Sequence, residues 1–422
     1  MEDQFDYVIH DNQVHIRKIY EEGSENCIIP SEIEGKPVTR LMDYCCAHNQ
    51  IVRNATIPNC VTTIGEYAFT GCSNLTSVTI PESIKEIEEG VFEDCESLQS
   101  ITIPENVEIV GKYAFANCTS LTQLEISSGV TIIEEAAFFR CKIDKLYIPH
   151  TVERVKYLAF SKCPDLEMVE FNGFGADTYA FAECPKLKTI EICVNTIYWE
   201  PLATYKCQNL CQFIVSEENQ AFSSDAGVLL NKDQDVVIRI PDAMSLVTIP
   251  DGVTSIGDDA ANGNNLKYID IPKSLQCVGE MAFYECPIIK IVIDSVEQYS
   301  QISWYDINSV PGGMNEDNSL PRRKLFLGDQ EITDLVIPEG VSYIEDWAFC
   351  DFPIRSVILP TTLKQIGDCA FTGTDLTSVE IPECVTKIGH RAFSETKIEK
   401  FDITSSAWYK KSPKDIFDWQ TR

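Results

Sequence analysis

Apolar and polar positions along this chain recur with a period of 22 or 23 residues. From Leu75 the unit reads Leu-Thr-Ser-Val-Thr-Ile-Pro, continues Glu-Ser-Ile-Lys-Glu-Ile-Glu-Glu-Gly-Val-Phe-Glu-Asp-Cys, and begins again at Leu98. Pro58, Pro81 and Pro104 are 23 apart, and Pro338, Pro360 and Pro382 are 22 apart. Phe69, Phe92, Phe115, Phe138, Phe160 and Phe181 mark one phase of the unit, as do Phe283, Phe349, Phe371 and Phe393. With degenerate units at Cys46, Thr204 and Ala261, the pattern predicts about thirteen turns of a solenoid.

Each position has a physical role. Leu75, Val78 and Ile80 fit a short strand whose apolar side chains face a shared core, while Thr76, Ser77 and Thr79 face solvent. The spacing of three between Leu75 and Val78 implies a bend before strict alternation begins. The following proline ends the strand. A second extended piece, around Ile84 and Ile87, crosses the back, and the Ala-Phe pair predicts a short helical turn that plugs the core. No single turn buries its own apolar face, so turns must stack, at about 4.8 Å.

The pattern lapses twice, which divides the chain. Residues 1–27 precede the repeats, 28–215 predict a first repeat block, 244–293 a second, 332–404 a third, and 405–422 a C-terminal cap. Between the blocks, 216–243 predicts a hairpin insertion. There Gly227-Val228-Leu229-Leu230 and Val236-Val237-Ile238-Arg239-Ile240 flank the polar turn Asn231–Asp235. Segment 294–331 predicts an irregular insertion with a loop at Pro311–Asn318. The same segment carries the one dense basic cluster, Arg322-Arg323-Lys324, which is read either as a solvated loop or as a dock for an acidic partner.

Composition narrows the function. Of 422 residues, 65 are acidic and 34 basic, for a formal net charge of −31. Nucleic-acid and anionic-membrane binding need Lys and Arg clusters that this chain does not have. No apolar run approaches the roughly 18 residues of a membrane helix, and the opening Met1-Glu2-Asp3-Gln4-Phe5-Asp6 has neither the basic start nor the apolar run of a secretory signal. Of 18 cysteines, Cys72, Cys95, Cys118, Cys141, Cys163, Cys184, Cys207 and Cys286 fall three residues after the Phe position. They form one column, which is expected to be buried as small hydrophobes. The alternative, a metal or thiol-redox ladder, lacks Cys-x-x-Cys spacing and accompanying histidines.

No catalytic constellation is present: no nucleophile elbow, Walker loop, dinucleotide loop or zincin motif. The five histidines fall at different phases of the repeat, so they do not converge. No enzymatic activity and no cofactor are expected. Acidic Glu316-Asp317-Asn318 lacks the ligand pattern of a calcium loop. What remains is the outward column of the sheet, between the last two apolar positions of each strand. It reads Thr56, Thr79, Thr102, Glu125, Tyr147, Glu170, Glu191, Ile214, Thr248, Asp270, Val292, Val336, Ile358, Glu380 and Asp402. Two stretches are candidates for partner contact: Tyr147 among Glu125, Glu170 and Glu191, and the apolar run Val292, Val336 and Ile358. Against these stand solvated β-compatible positions for the first, and burial beneath segment 294–331 for the second.

The wording Val61-Thr-Thr-Ile-Gly-Glu-Tyr-Ala-Phe-Thr-Gly-Cys-Ser-Asn-Leu-Thr-Ser-Val-Thr-Ile-Pro81, echoed by Val385-Thr-Lys-Ile-Gly-His-Arg-Ala-Phe393, closely resembles the BspA-like, or Treponema-type, bacterial leucine-rich repeats. The resemblance spans roughly residues 28–404, and Phe5–Ile16 is similar to that family's opening segment. It implies an α/β-type leucine-rich repeat solenoid, right-handed and curved, with one short parallel strand per turn, an N-terminal hairpin cap and two insertions. It further implies a non-enzymatic scaffold at the bacterial surface or secreted, which binds a host protein, a glycan or another cell. The signal-free opening and many thiols point instead to a reducing cytoplasm, and an anaerobic habitat reconciles the two. A passive structural spacer is the remaining alternative.

Overall fold

The computed structural model describes residues 4–20, 24–312 and 321–403, with side chains described as far as Glu399. The expected C-terminal cap at 405–422 and the acidic stretch Glu316–Asn318 therefore lie outside the described residues. The chain forms two compact units, residues 1–227 and 228–422. Each is a parallel β-solenoid with almost no helix, and together they comprise about 16 turns, against the thirteen counted from sequence. Turns without the Phe and Cys words escaped that count, such as those carrying the strands Asn26–Ile28 and Lys324–Leu327.

In the first unit the front strands pair in parallel at the repeat spacing: Asn26–Ile28 with Asn54–Thr56, then Ser77–Thr79. Ser100–Ile103 pairs with Gln123–Ile126, and Lys145–Ile148 leads through Met168–Phe171 and Thr189–Ile192 to Gln212–Val215. Two-residue strands such as Ile109–Val110 and Ile132–Ile133 form a second parallel ladder behind. At the start, Phe5–His10 and Gln13–Ile19 make the expected antiparallel hairpin, and Gln13–Ile19 pairs in parallel with Lys36–Leu41. The hairpin thus covers a sheet edge that would otherwise be open to pairing.

Between these ladders runs a column of phenylalanines. The rings of Phe69, Phe92, Phe115, Phe138, Phe160 and Phe181 stack with centroids 5.0–5.7 Å apart. Contrary to expectation, the Ala-Phe segment is not helical. The residues two before and two after each Phe have positive φ, as at Tyr113 (55°) and Asn117 (60°), or Ala136 (53°) and Arg140 (60°). A left-handed residue at both ends stops a right-handed helix from propagating. It also redirects the backbone amides. Tyr113, Phe115 and Asn117 donate to Glu135, Ala137 and Phe139 of the next turn at 3.0, 2.8 and 2.7 Å. Ala114, Ala116 and Cys118 bond within their own turn. The Phe segment is therefore a third ladder between turns. Glycine is required where a neighbouring ring lies across it: a Cβ on Gly90 would meet the Tyr67 ring at 2.3 Å.

The second unit opens with the hairpin of Val228–Asn231 and Val236–Arg239, whose turn is closed by the Asn231 carboxamide accepting from the amides of Asp235 and Val236 at 3.0 Å. Arg239 is fully buried. Its guanidinium donates to Asp242 at 2.5 Å and to the carbonyls of Asp259 and Asn262 at 2.9 and 3.2 Å. This arrangement sits against the turn in which Ala261 and Asn264 replace the usual Phe and Cys.

The described part of segment 294–331 departs from the repeat, yet it is built into the core. Its Tyr299, Ile302, Trp304, Val310 and Leu325 are buried in the core of the unit. Tyr299 lies 5.8 Å from Phe349, which begins the second Phe stack, and so occupies the column where the motif is missing. Lys324–Leu327 pairs in parallel with Lys290–Ile293 and carries the front ladder onward. The basic cluster serves the same end. Arg322 donates to the carbonyls of Phe352 and Gly373 at 3.1 and 2.6 Å and to the Asp375 carboxylate at 3.1 Å. Arg323 is buried, bonded to the carbonyls of Pro311 and Cys350, and lies over the Phe352 ring; Lys324 pairs with Glu331. The cations satisfy backbone acceptors that the irregular chain path leaves open.

The acidic surplus affects stability as well. Glu88 and Glu93 are held above the usual carboxylate pKa, first by partial burial, then by Glu86 and Glu66 around Glu88 and by Asp94 and Glu89 around Glu93. A folded-state pKa above the unfolded one favours folding while the group is protonated, and stability falls as pH rises through the shifted value. The double variant Glu88→Gln/Glu93→Gln is expected to melt above wild type at pH 7. That advantage should fade near pH 4, as circular dichroism melts at both pH values will read.

Candidate interaction surface

The strand register builds the outward column directly. Tyr147 pairs with Glu170, Glu170 with Glu191 and Glu191 with Ile214, each on successive turns. At about 4.8 Å per turn, these four side chains form one row. Tyr147 and Ile214 are 47 % and 44 % exposed. Glu125 belongs to the preceding sheet, where it pairs in register with Thr102 and accepts its hydroxyl at 3.2 Å. Among the described residues, Glu125, Glu170 and Glu191 make no ion pair. Cys193 sits beside this row, and its thiol is pushed up by burial and then by the charges of Glu170 and Glu191.

In the second unit the column splits. Val292 is half-buried and pairs with Phe326, a position outside the motif that the sequence reading omitted. Val336 pairs with Ile358 instead. These two are 54 % and 63 % exposed, so the described part of segment 294–331 does not cover them. The three apolar residues are therefore divided between two sheets, with Phe326 entering beside Val292. Ile28, paired with Thr56, is a second omitted member of the column and is 64 % exposed. Both omissions have one cause, since the apolar residue that opens the repeat word is replaced by Ser24 and Arg322 before these two strands.

The cysteine column has a structural explanation. All 18 thiols are free, and the eight column members are fully or almost fully buried. Each sulfur reaches a carbonyl of an earlier turn. Cys95 donates to Phe69, Cys118 to Phe92, Cys141 to Phe115 and Cys207 to Phe181, at 3.1–3.3 Å. Burial pushes Cys286 up to about 12 and raises Cys95, Cys118 and Cys184 well above the ordinary thiol value. Such thiols lack the thiolate needed for nucleophilic or metal chemistry at neutral pH. Among the described residues, no group of three or more His, Cys, Asp or Glu side chains is placed to hold a metal ion. Maleimide labelling of native protein should modify Cys211 and Cys277, the exposed thiols, first. The eight column cysteines should react only in denaturant, as mass spectrometry of peptides will read.

The profile of the BspA type leucine rich repeat region matches residues 39–167, 174–226, 242–310 and 322–417, most of the chain. The chain belongs to the BspA-type leucine-rich repeat family. A solved structure agrees on the fold. A leucine rich cell surface protein from Faecalibacterium prausnitzii is 24 % identical with a TM-score of 0.51, covering 96 % of this chain and 94 % of that one. A leucine-rich repeat protein from Bacteroides ovatus is 20 % identical with a TM-score of 0.48, covering 96 % and 88 %. No curated protein matches the chain. In this BspA-type repeat, no helix among the described residues is long and apolar enough to cross a membrane.

Proposed function

We propose that this BspA-type repeat protein is a non-enzymatic binding scaffold of the bacterial surface, presenting its outward sheet column to a protein partner. The observation that carries the reading is the row Tyr147, Glu170 and Glu191, whose register gives an exposed aromatic beside two carboxylates with no ion pair. Buried aromatic anchors with oriented charges are what interfaces use for affinity and on-rate. The cell-surface description of the Faecalibacterium protein supports the location. A partner surface rich in Lys and Arg suits the charge of −31.

The test is surface plasmon resonance of the whole chain against immobilised matrix proteins and a panel of glycans. The variant Tyr147→Ala/Glu170→Gln/Glu191→Gln is compared with a back-face control, Glu86→Gln. Saturable binding to a protein that weakens about tenfold in the triple variant alone supports the proposal. Binding only to glycans, or equal binding by both variants, overturns it, and no binding at all leaves a passive spacer.

A further inference from the structure

Two shallow grooves adjoin on the sheet face of the second unit, of about 350 and about 440 Å³, and share Asp270 and Val292. The first is lined by Asp251, Asp270 and Asp294 with no basic side chain. The second adds Leu246, Tyr268 and Asp329, together with Lys290, whose ammonium lies 4.6 Å from the Phe326 ring centroid. Leu246 and Tyr268 are 57 % and 38 % exposed. Among the described residues none of the four aspartates makes an ion pair; Asp270 accepts the Thr248 hydroxyl at 3.0 Å. Lys273, exposed beside Pro272, is not part of either lining.

We infer that this double groove takes an extended basic segment of a protein partner, with Lys or Arg side chains meeting the aspartates and apolar ones meeting Leu246 and Tyr268. This rests on the reading of the sheet face as the binding surface and names a second, separate place on it. Charge selects the occupant. Four carboxylates against one ammonium repel an acidic segment, and a neutral one would strip water from the carboxylates without replacing it. A second copy of this chain, at −31, is disfavoured for the same reason. Spacing selects its form. Asp251 and Asp294 belong to turns two apart, as do Asp270 and Asp329, which separates each pair by about 9.6 Å along the stack, besides their offset along the strands. A polyproline-type segment, at about 3.1 Å per residue with threefold symmetry, returns a side chain to the same side every 9.3 Å or so.

The experiment is fluorescence anisotropy with the whole chain and a labelled peptide of three Pro-Leu-Arg repeats. Controls are the same peptide with Glu for Arg and with Ser for Leu. Asp270→Asn/Asp294→Asn and Leu246→Ser/Tyr268→Ser are each expected to weaken binding about tenfold, with melting temperatures near wild type. Glu86→Gln on the back of the first unit should leave it within about twofold. Equal binding of the Ser peptide reduces the effect to bulk charge and overturns the inference, as does loss in the first-unit variant or no binding at all. Self-association abolished by Asp270→Asn/Asp294→Asn assigns the groove to a second copy and overturns it too. If the peptide fails while Tyr147→Ala/Glu170→Gln/Glu191→Gln still loses its matrix protein, only this inference falls.

Discussion

Replacing Phe138 with alanine is expected to lower the unfolding free energy by about 3–5 kcal/mol, one of the two largest single effects in the molecule. Its ring is fully buried and stacked at 5.2 Å on Phe115 and 5.0 Å on Phe160. The cost depends on whether the walls of the cavity can close. Here they cannot close easily, because the backbone around the ring is pinned on both sides. The Phe138 amide donates to Ala159 at 2.8 Å and its carbonyl accepts the Cys163 thiol at 3.5 Å. The next residue supplies the control. Phe139 is half-buried at the surface with Arg140 over its ring at 5.2 Å, and its loss should cost about 1 kcal/mol. Urea denaturation of the two variants measures the difference, and similar midpoints would mean that the ladder does not hold the first unit together.

The second large effect concerns Asp242. Changing it to leucine should cost about 3–5 kcal/mol, because the Arg239 charge then stays in the core without its carboxylate. The attraction itself is not the source of that cost, since two desolvated charges gain little over apolar side chains of the same volume. Arg239→Met/Asp242→Leu is therefore expected to recover most of the loss. A double-mutant cycle on thermal or urea unfolding separates the two ideas. A single Asp242→Leu variant within about 1 kcal/mol of wild type would mean that the guanidinium finds water or other acceptors.

The legible part of the fold is the part that repeats its own words. Phe69 to Phe181, the column cysteines and the strand phases announce themselves because each position meets the same neighbours above and below, so one residue type solves every turn. Tyr299 and Arg322 were not legible, since they meet the same demand with different chemistry: a phenol in place of a Phe ring, and a guanidinium in place of backbone amides. The left-handed positions were hidden for another reason. Tyr113 and Arg140 hold φ values that a reader assigns to glycine, and they tolerate them because the amides so displaced find partners one turn away. Of the candidate site, Tyr147, Glu170 and Glu191 were placed correctly in one row by counting alone. Thr248, Asp270 and Val292 likewise follow one another as counted; Phe326 was missed, because a groove depends on which strands follow one another, and the count skipped one.

The same skipped strand has a further consequence. Lys324–Leu327 is followed in its sheet by Gln330–Glu331 running antiparallel, while Asp334–Val336 pairs onward with Ser356–Ile358. Strand pairing among the described residues thus ends and starts afresh within ten residues, and the two sides are joined instead by the shared apolar core, by Arg322, Arg323 and Tyr299, and by the Glu345 amide donating to Ser300 at 2.8 Å. Side chains there do more of the joining than backbone amides do. The described turns from residue 334 onward are therefore expected to exchange amide hydrogens on a clock of their own, as hydrogen–deuterium exchange will read. Such a seam is also where a lineage could gain or lose whole turns without rewriting those on either side.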